Sequence, residues 1–238
     1  MFTAKAGTEP PGLDLSALIR QNEQLMPLFS IVVVHYQGTV SRETYLRGVN
    51  SILGQTFTDY EALVYHDGPL LAPEAPTPYP FRCTAERHND WGHSLRDRGI
   101  REATGDYILH FNADNLLYPF CLQTLVDVMH EPDRIFDAFG RGMDNPELLI
   151  FPIVMHDHVM FMNKFFFVGA GSGARIIMTG NPPGPNAIDA MQLVMRREIW
   201  LSEGGWSDKS RDSDATLYSN FARKYGYRGV GVVLGEHF

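Results

Sequence analysis

Cysteine is scarce in this 238-residue sequence, which holds only Cys83 and Cys121. A disulfide-stapled scaffold needs more, so both are expected as reduced thiols. Long apolar runs are missing as well. Phe29 to Val34 is only strand length, and Lys164 interrupts the aromatic run from Phe161 to Phe167, so nothing is expected to span a bilayer. No basic stretch followed by an apolar core opens the sequence, and no signal peptide is expected. Positive charge is also in short supply: the formal net charge is −8, which argues against a face built for nucleic acid. Gly169-Ala170-Gly171-Ser172-Gly173 lacks both the Lys-Ser/Thr of a P-loop and GxGxxG spacing, so a lid or acceptor loop is expected there. These absences point to a reducing compartment, cytoplasmic or at most peripheral at the inner face of a membrane.

What is present suits one large α/β domain. An apolar fraction of 44% and a charged fraction of 20% are ordinary for a globular chain. A domain of this size buries roughly three quarters of its unfolded surface, enough for a core without staples. Residues 1–27 read as an extension, with Pro10, Pro11 and Gly12 ahead of a short helical pattern from Asp14 to Leu25. From Phe29 the β-branched run Ser30-Ile31-Val32-Val33-Val34 predicts a strand buried on both faces. Ser41 resembles an N-cap, followed by Tyr45, Val49, Ile52 and Leu53 at helical spacing. A second strand, Glu61 to Tyr65, completes a βαβ unit with a parallel sheet.

Further along, Phe81 to Glu86 predicts a third strand, Ser94 to Ala103 a helix stopped by Thr104-Gly105, and Tyr107 to Phe111 a fourth strand. Pro119 to His130 reads as a helix. The second half is less regular: Ile150 to Met155 and Val159 to Val168 read as strands, Gly169 to Pro185 as a long flexible loop, and Asp214 to Tyr225 as a helix. In an open parallel sheet, ligands bind beyond the carboxyl ends of the strands. Tyr36, Asp67 and Asp114 all fall at such ends. The aromatic run at 161–167 suits burial in a core or against a partner equally well, and nothing fixes the oligomeric state.

Several strings then resemble a known family. The apolar strand with Tyr36, then Tyr45-Leu46-Arg47-Gly48-Val49-Asn50-Ser51-Ile52-Leu53-Gly54-Gln55-Thr56-Phe57, and a strand ending at Asp67-Gly68 are similar to the opening of family 2 glycosyltransferases. Ala103-Thr104-Gly105-Asp106-Tyr107-Ile108, leading into Asn112-Ala113-Asp114-Asn115, resembles that family's approach to its DxD motif. Gly204-Gly205-Trp206, Asp214 and Gly226-Tyr227-Arg228 resemble its acceptor side. The resemblance covers residues 29 to 228. It implies a GT-A fold: a Rossmann-like, mostly parallel central sheet flanked by helices, with a smaller acceptor-side region. Residues 28–238 are expected to form that domain, with 28–118 holding a nucleotide-sugar and 119–238 the acceptor.

The same resemblance implies transfer of a sugar from a nucleotide-diphosphate donor, a UDP-sugar, to an acceptor hydroxyl with inversion. The acceptor would be a saccharide, a lipid-linked molecule or a small molecule. A divalent ion, Mn²⁺ or Mg²⁺, offsets the charge of a departing diphosphate and takes oxygen ligands. Asp114 supplies the carboxylate in this reading, Asn112 and Ala113 fill the rest of the motif, and His237 adds a metal ligand. Tyr36 stacks on the base, a contact of about 1–3 kcal/mol in other nucleotide complexes. Asp67 accepts from the base, and Arg96 holds the pyrophosphate. Asp214 is the expected general base, with Asp212 as its alternate, and Trp206 forms an acceptor wall. The sequence departs from the family at His66, Asn112 and Ser213, each of which replaces an acid. Those changes leave a second reading open, a protein of the same fold that binds nucleotide-sugars without turnover.

Overall fold

A computed structural model describes residues 26–130, 146–162 and 164–238. The expected extension and its helix from Asp14 to Leu25 lie outside them, apart from its last two residues.

The buried run at Phe29 becomes strand β1, Phe29–His35, with every residue buried. Ser41 then caps helix α1, Arg42–Leu53: its side chain accepts from the Thr44 N–H, satisfying a donor the first helical turn leaves free. Strand β2, Tyr60–His66, returns parallel to β1 in the register Phe29 to Tyr60. Strand β3 is only Phe81–Cys83, shorter than the sequence suggests. The backbone beyond it is diverted into polar contacts: Thr84 Oγ1 accepts from the Gly68 N–H at 2.7 Å, and the Asp67 carboxylate accepts from the His88 N–H at 2.8 Å.

Helix α2, His93–Glu102, and strand β4, Tyr107–Asn112, follow, and β4 lies parallel to β1 on its other side. Short strand β5, Leu116–Leu117, and helix α3, Cys121–His130, come next. The expected strand from Ile150 to Met155 is divided by Pro152, which cannot donate to a ladder. Its parts are β6, Leu148–Ile150, and β7, Ile153–His156, in different sheets. Strands β8, His158–Phe161, and β9, Lys164–Phe167, form an antiparallel hairpin of their own. The expected loop from Gly169 contains strand β10, Arg175–Met178. A 3₁₀ turn at Ala190–Gln192, strand β11, Leu193–Arg196, and helices α4, Arg197–Ser202, and α5, Ser213–Tyr225, lead to β12, Arg228–Gly229, and β13, Gly235–His237.

The main sheet runs β12-β6-β11-β4-β1-β2-β3. It is parallel except where β11 lies antiparallel between β4 and β6. Helices α1 and α3 pack into the core on one face, and α2, α4 and α5 into the core on the other. A smaller sheet, β10-β7-β13-β5, packs beside it. Among the described residues no helix is long and apolar enough to cross a membrane.

The strings that carried the resemblance do structural work. Gln55 is buried and bridges three segments: its amide donates to the Ser51 and Tyr118 carbonyls, both at 2.9 Å, and its oxygen accepts from the Leu122 N–H at 3.1 Å. Glu61 accepts from the Thr104 N–H and from Ser30 Oγ, each at 2.6 Å, tying the Thr104-Gly105 stop to the start of β1.

Candidate active site

The carboxyl ends of β1, β2 and β4 open onto a cleft of about 650 Å³. Tyr36, Asp67, Arg96, Asn112, Ala113, Asp114 and Asp214, seven of the residues expected to work together, line it. They reach it from two directions. The first six come from strand ends and from α2, and Asp214 from the first turn of α5.

Arg96 sits at the base of the cleft and is only 2% exposed. Its Nη1 donates to the Trp91 carbonyl at 3.1 Å and its Nη2 to Asn112 Oδ1 at 2.5 Å. No carboxylate among the described residues lies within 4 Å of it, and Nε is a buried atom without a hydrogen-bond partner. Burial pulls the guanidinium below its usual range, with Tyr218, Asp189 and Asp214 opposing. An arginine stays protonated even so, leaving a buried charge that only neutral groups contact. Beneath it lies an aromatic column: His93 stacks on Trp206 at 5.3 Å, Trp206 on Trp200 at 5.5 Å, and His110 meets Trp206 edge-on at 4.8 Å. Burial and then the Arg96 charge hold His93 down to about 4, and the same pair of causes takes His110 well below the usual imidazole value. Both rings are therefore neutral near pH 7 and add no charge to the floor.

That column corrects the expectation for Trp206. It is fully buried and its Nε1–H donates to Ser213 Oγ at 2.9 Å, so it cannot form a wall against an acceptor. The Trp206 backbone N–H donates to Asp97 Oδ1, so the Gly-Gly-Trp string anchors α2 and belongs to the core. Ser213, where the family pattern has an acid, serves as the acceptor for this buried indole. The exposed aromatic at the cleft is Trp91, 62% exposed and unforeseen in the sequence. It lies in a turn with left-handed backbone at Asn89, Trp91 and Gly92. A Cβ on Gly92 would stand 2.9 Å from Arg96 Nη1 and 3.1 Å from Val34 Cβ, so glycine permits the turn.

Asp67 organises this turn. Its carboxylate accepts from the His88 and Asn89 N–H groups, and Arg87 Nε approaches it at 3.4 Å. The Arg87 guanidinium lies 3.6 Å above the Tyr36 ring, covering one face of the residue expected to stack on a base. His66, the neighbour that departs from the family, is wholly buried. Its Nε2 accepts from the Gln37 N–H at 3.1 Å and its Nδ1–H donates to the Gly68 carbonyl at 2.8 Å. An imidazole can both donate and accept; a carboxylate there could not donate to Gly68.

The acidic side of the cleft is made by Asp114, Asp189 and Asp214. Burial raises the Asp114 carboxyl above its usual range, and His237 opposes the shift. Burial first, and Asp189 second, push Asp214 up to about 6. Asp212 is exposed and absent from the cleft wall. Asp189 was not foreseen; in the fold its Oδ1 accepts from the Met191 N–H and caps the 3₁₀ turn. Arg211 also lines the cleft unforeseen. His237, on β13, places Nδ1 at 3.6 Å from Asp189 Oδ2, and this buried nitrogen has no hydrogen-bond partner. No group of three or more His, Cys, Asp or Glu among the described residues could hold a metal ion by itself. A single carboxylate such as that of Asp114 is a hard oxygen donor of the kind a divalent ion uses when its remaining ligands are substrate phosphates and water.

Fold and cleft together define a GT-A glycosyltransferase architecture. The family model of glycosyl transferase family 2 matches residues 30–196, and the chain belongs to that family of transferases. An uncharacterized glycosyltransferase of Escherichia coli strain K12, YibD, is 30% identical over 90 residues, covering 36% of this chain and 26% of its own length. Staphylococcus aureus TarS 1–349 in complex with UDP-GlcNAc superposes with a TM-score of 0.57 at 11% identity, over 88% of this chain and 58% of that one. The mannosyltransferase PcManGT of Pyrobaculum calidifontis, in complex with GDP-Man and Mn²⁺, gives a TM-score of 0.54 at 14% identity over 94% of this chain and 64% of that one. The chain thus spans about a quarter of the curated relative and less than two thirds of these structures.

Proposed function

We propose that this chain transfers a sugar from a UDP-sugar to an acceptor hydroxyl, with inversion and with help from a divalent ion. The observation that carries this reading is the buried Arg96 charge, contacted only by an amide and a carbonyl at the base of a cleft. A fixed charge of that kind is costly in the folded chain unless an anion completes it, and a diphosphate matches a planar guanidinium. The neighbouring structures support a nucleotide donor, one holding UDP-GlcNAc and the other GDP-Man.

In this reading Tyr36 and Asp67 hold the base and Arg96 the pyrophosphate. Asp114, with Asp189 and His237 beside it, holds the ion, which when bound would stabilise negative charge on the diphosphate. Asp214 takes the proton from the acceptor hydroxyl as that oxygen attacks the anomeric carbon and the diphosphate leaves. A carboxyl at about 6 is ionised at neutral pH and more basic than an ordinary aspartate, as a general base should be. Trp91 offers the flat face an acceptor sugar packs against.

Thermal unfolding with UDP, GDP, CDP and dTDP, each with Mn²⁺ and with chelator, tests the donor site on the wild type and Asp114→Ala. A ligand at about 100 times its Kd adds roughly 2.7 kcal/mol of stability. The expected result is a metal-dependent rise with UDP that Asp114→Ala abolishes. No rise with any nucleotide would remove the donor site from this cleft. Release of free UDP from UDP-sugars in the presence of acceptor then separates a transferase from a binder without turnover.

A further inference from the structure

The β8–β9 hairpin is a two-stranded sheet of its own beside β10, with apolar side chains on both faces and Phe165 packed against the core. Its register sets Met160 and Phe167 on one face and Phe161 and Phe166 on the other. Phe161 and Phe167 are each 62% exposed, and Met162 at the turn is 82% exposed. Val168, just after β9, and Ile177 of neighbouring β10 continue the exposed apolar surface. A two-stranded ribbon is marginal by itself in water, and a contiguous apolar patch of this kind marks an interaction site. The charge pattern is as uneven as the apolar one. In a chain of net charge −8, residues 158–188 contain no Asp or Glu, while Lys164 and Arg175 are exposed and have no carboxylate partner among the described residues.

We propose that this hairpin is a docking element for an anionic lipid surface, its aromatic tip entering the headgroup boundary with Lys164 and Arg175 at the phosphate level. Charge chooses lipid over a second copy of the chain. A two-fold interface presses the same patch against itself, so it would double the positive charge of Lys164 and Arg175 at the contact with no acid between residues 158 and 188 to pair them. Lipid phosphates supply the missing counter-charge, and aromatic side chains with a basic residue suit that boundary. The hairpin is rooted near the acidic side of the cleft: the His158 ring lies 6.2 Å from that of His237, which reaches Asp189. The inference does not depend on the transfer reaction.

Co-sedimentation with vesicles tests it directly, using phosphatidylcholine alone and phosphatidylcholine with about one third phosphatidylglycerol. The full chain is expected to bind the mixed vesicles about ten-fold more tightly than the neutral ones, and less so as salt rises. Phe161→Ser with Phe167→Ser should weaken binding about ten-fold or more, and Lys164→Glu about five-fold. The unfolding midpoint of each variant reports whether it folds. If the double variant does not fold, Met162→Asp at the exposed turn replaces it and should also lose binding. Wild-type protein that stays in the supernatant, or a folded variant that binds like wild type, overturns the proposal. A wild-type dimer in light scattering that Phe161→Ser dissociates would do the same, and would assign the hairpin to self-association.

Discussion

Arg96 donates through Nη2 to Asn112 Oδ1 at 2.5 Å, so the first position of the Asn112-Ala113-Asp114 motif holds the arginine without neutralising it. An aspartate at 112 would form a buried ion pair and cancel the charge facing the cleft. The asparagine leaves that charge for a ligand. Asn112→Asp is therefore expected to lower affinity for UDP about ten-fold in the presence of chelator, as read by calorimetry. Unchanged affinity would mean that Arg96 does not face the diphosphate.

Asp214 makes a prediction with a defined sign. Its folded-state value of about 6 lies above the ordinary 3.8, so the folded chain favours the protonated carboxyl. The associated stability is present below about pH 4 and is lost as pH rises through about 6. Asp214→Asn removes the ionisation. It should be more stable than wild type by about 1–3 kcal/mol at pH 7.5 and no more stable near pH 4, measured by urea unfolding. Donor binding should persist while transfer falls by orders of magnitude, and wild-type transfer should decline on the acid side with a midpoint near 6. A variant that keeps full transfer would move the base elsewhere.

Gly48 packs α1 against the motif strand. A Cβ there would stand 2.4 Å from the Ala113 carbonyl oxygen. Gly48→Ala must displace backbone beside Asp114, at an expected cost of about 1–3 kcal/mol. The same variant should lose metal-dependent nucleotide binding disproportionately, seen as a Kd change larger than that of a destabilising variant remote from the cleft.

Asp67 is expected to act through the turn it holds. In Asp67→Ala the His88 and Asn89 N–H groups lose their acceptor, at a cost of about 0.5–1.5 kcal/mol for each part-buried bond. Hydrogen exchange at residues 87–92 should speed up with little change in β4. Protection that persists would show that the turn is held by other contacts.

The strand-end wall of the cleft was legible because strand ends announce themselves: the run from Phe29, the Ser41 cap and the Asn112–Asp114 motif are local patterns, and a parallel sheet collects their ends at one edge. Asp189 was illegible because its partners, Asp214 and His237, are brought to it by tertiary packing. Trp206 misled for the opposite reason. An aromatic in a glycine-rich segment suggests a surface platform, yet the left-handed glycines at 204 and 205 turn it inward onto Trp200 and His93. Trp91 carried no sequence signal, since its exposure depends on a turn assembled by Asp67 from 24 positions away. Val159 to Val168 reads as a single strand because apolar periodicity does not reveal the reversal between β8 and β9.

Strand β4 lies between β1 and β11, and β11 comes from the second half of the chain. A fragment ending at residue 118 would expose β4 as a raw edge, with Ile108 and Leu109 offered to any passing strand. Recombining halves of related enzymes at that boundary would therefore yield aggregates, although the cleft residues from Tyr36 to Asp114 would all be present. Exchanges confined to residues 158–187 leave the seven-stranded ladder uncut. That is where relatives of this chain can diverge without refounding the sheet.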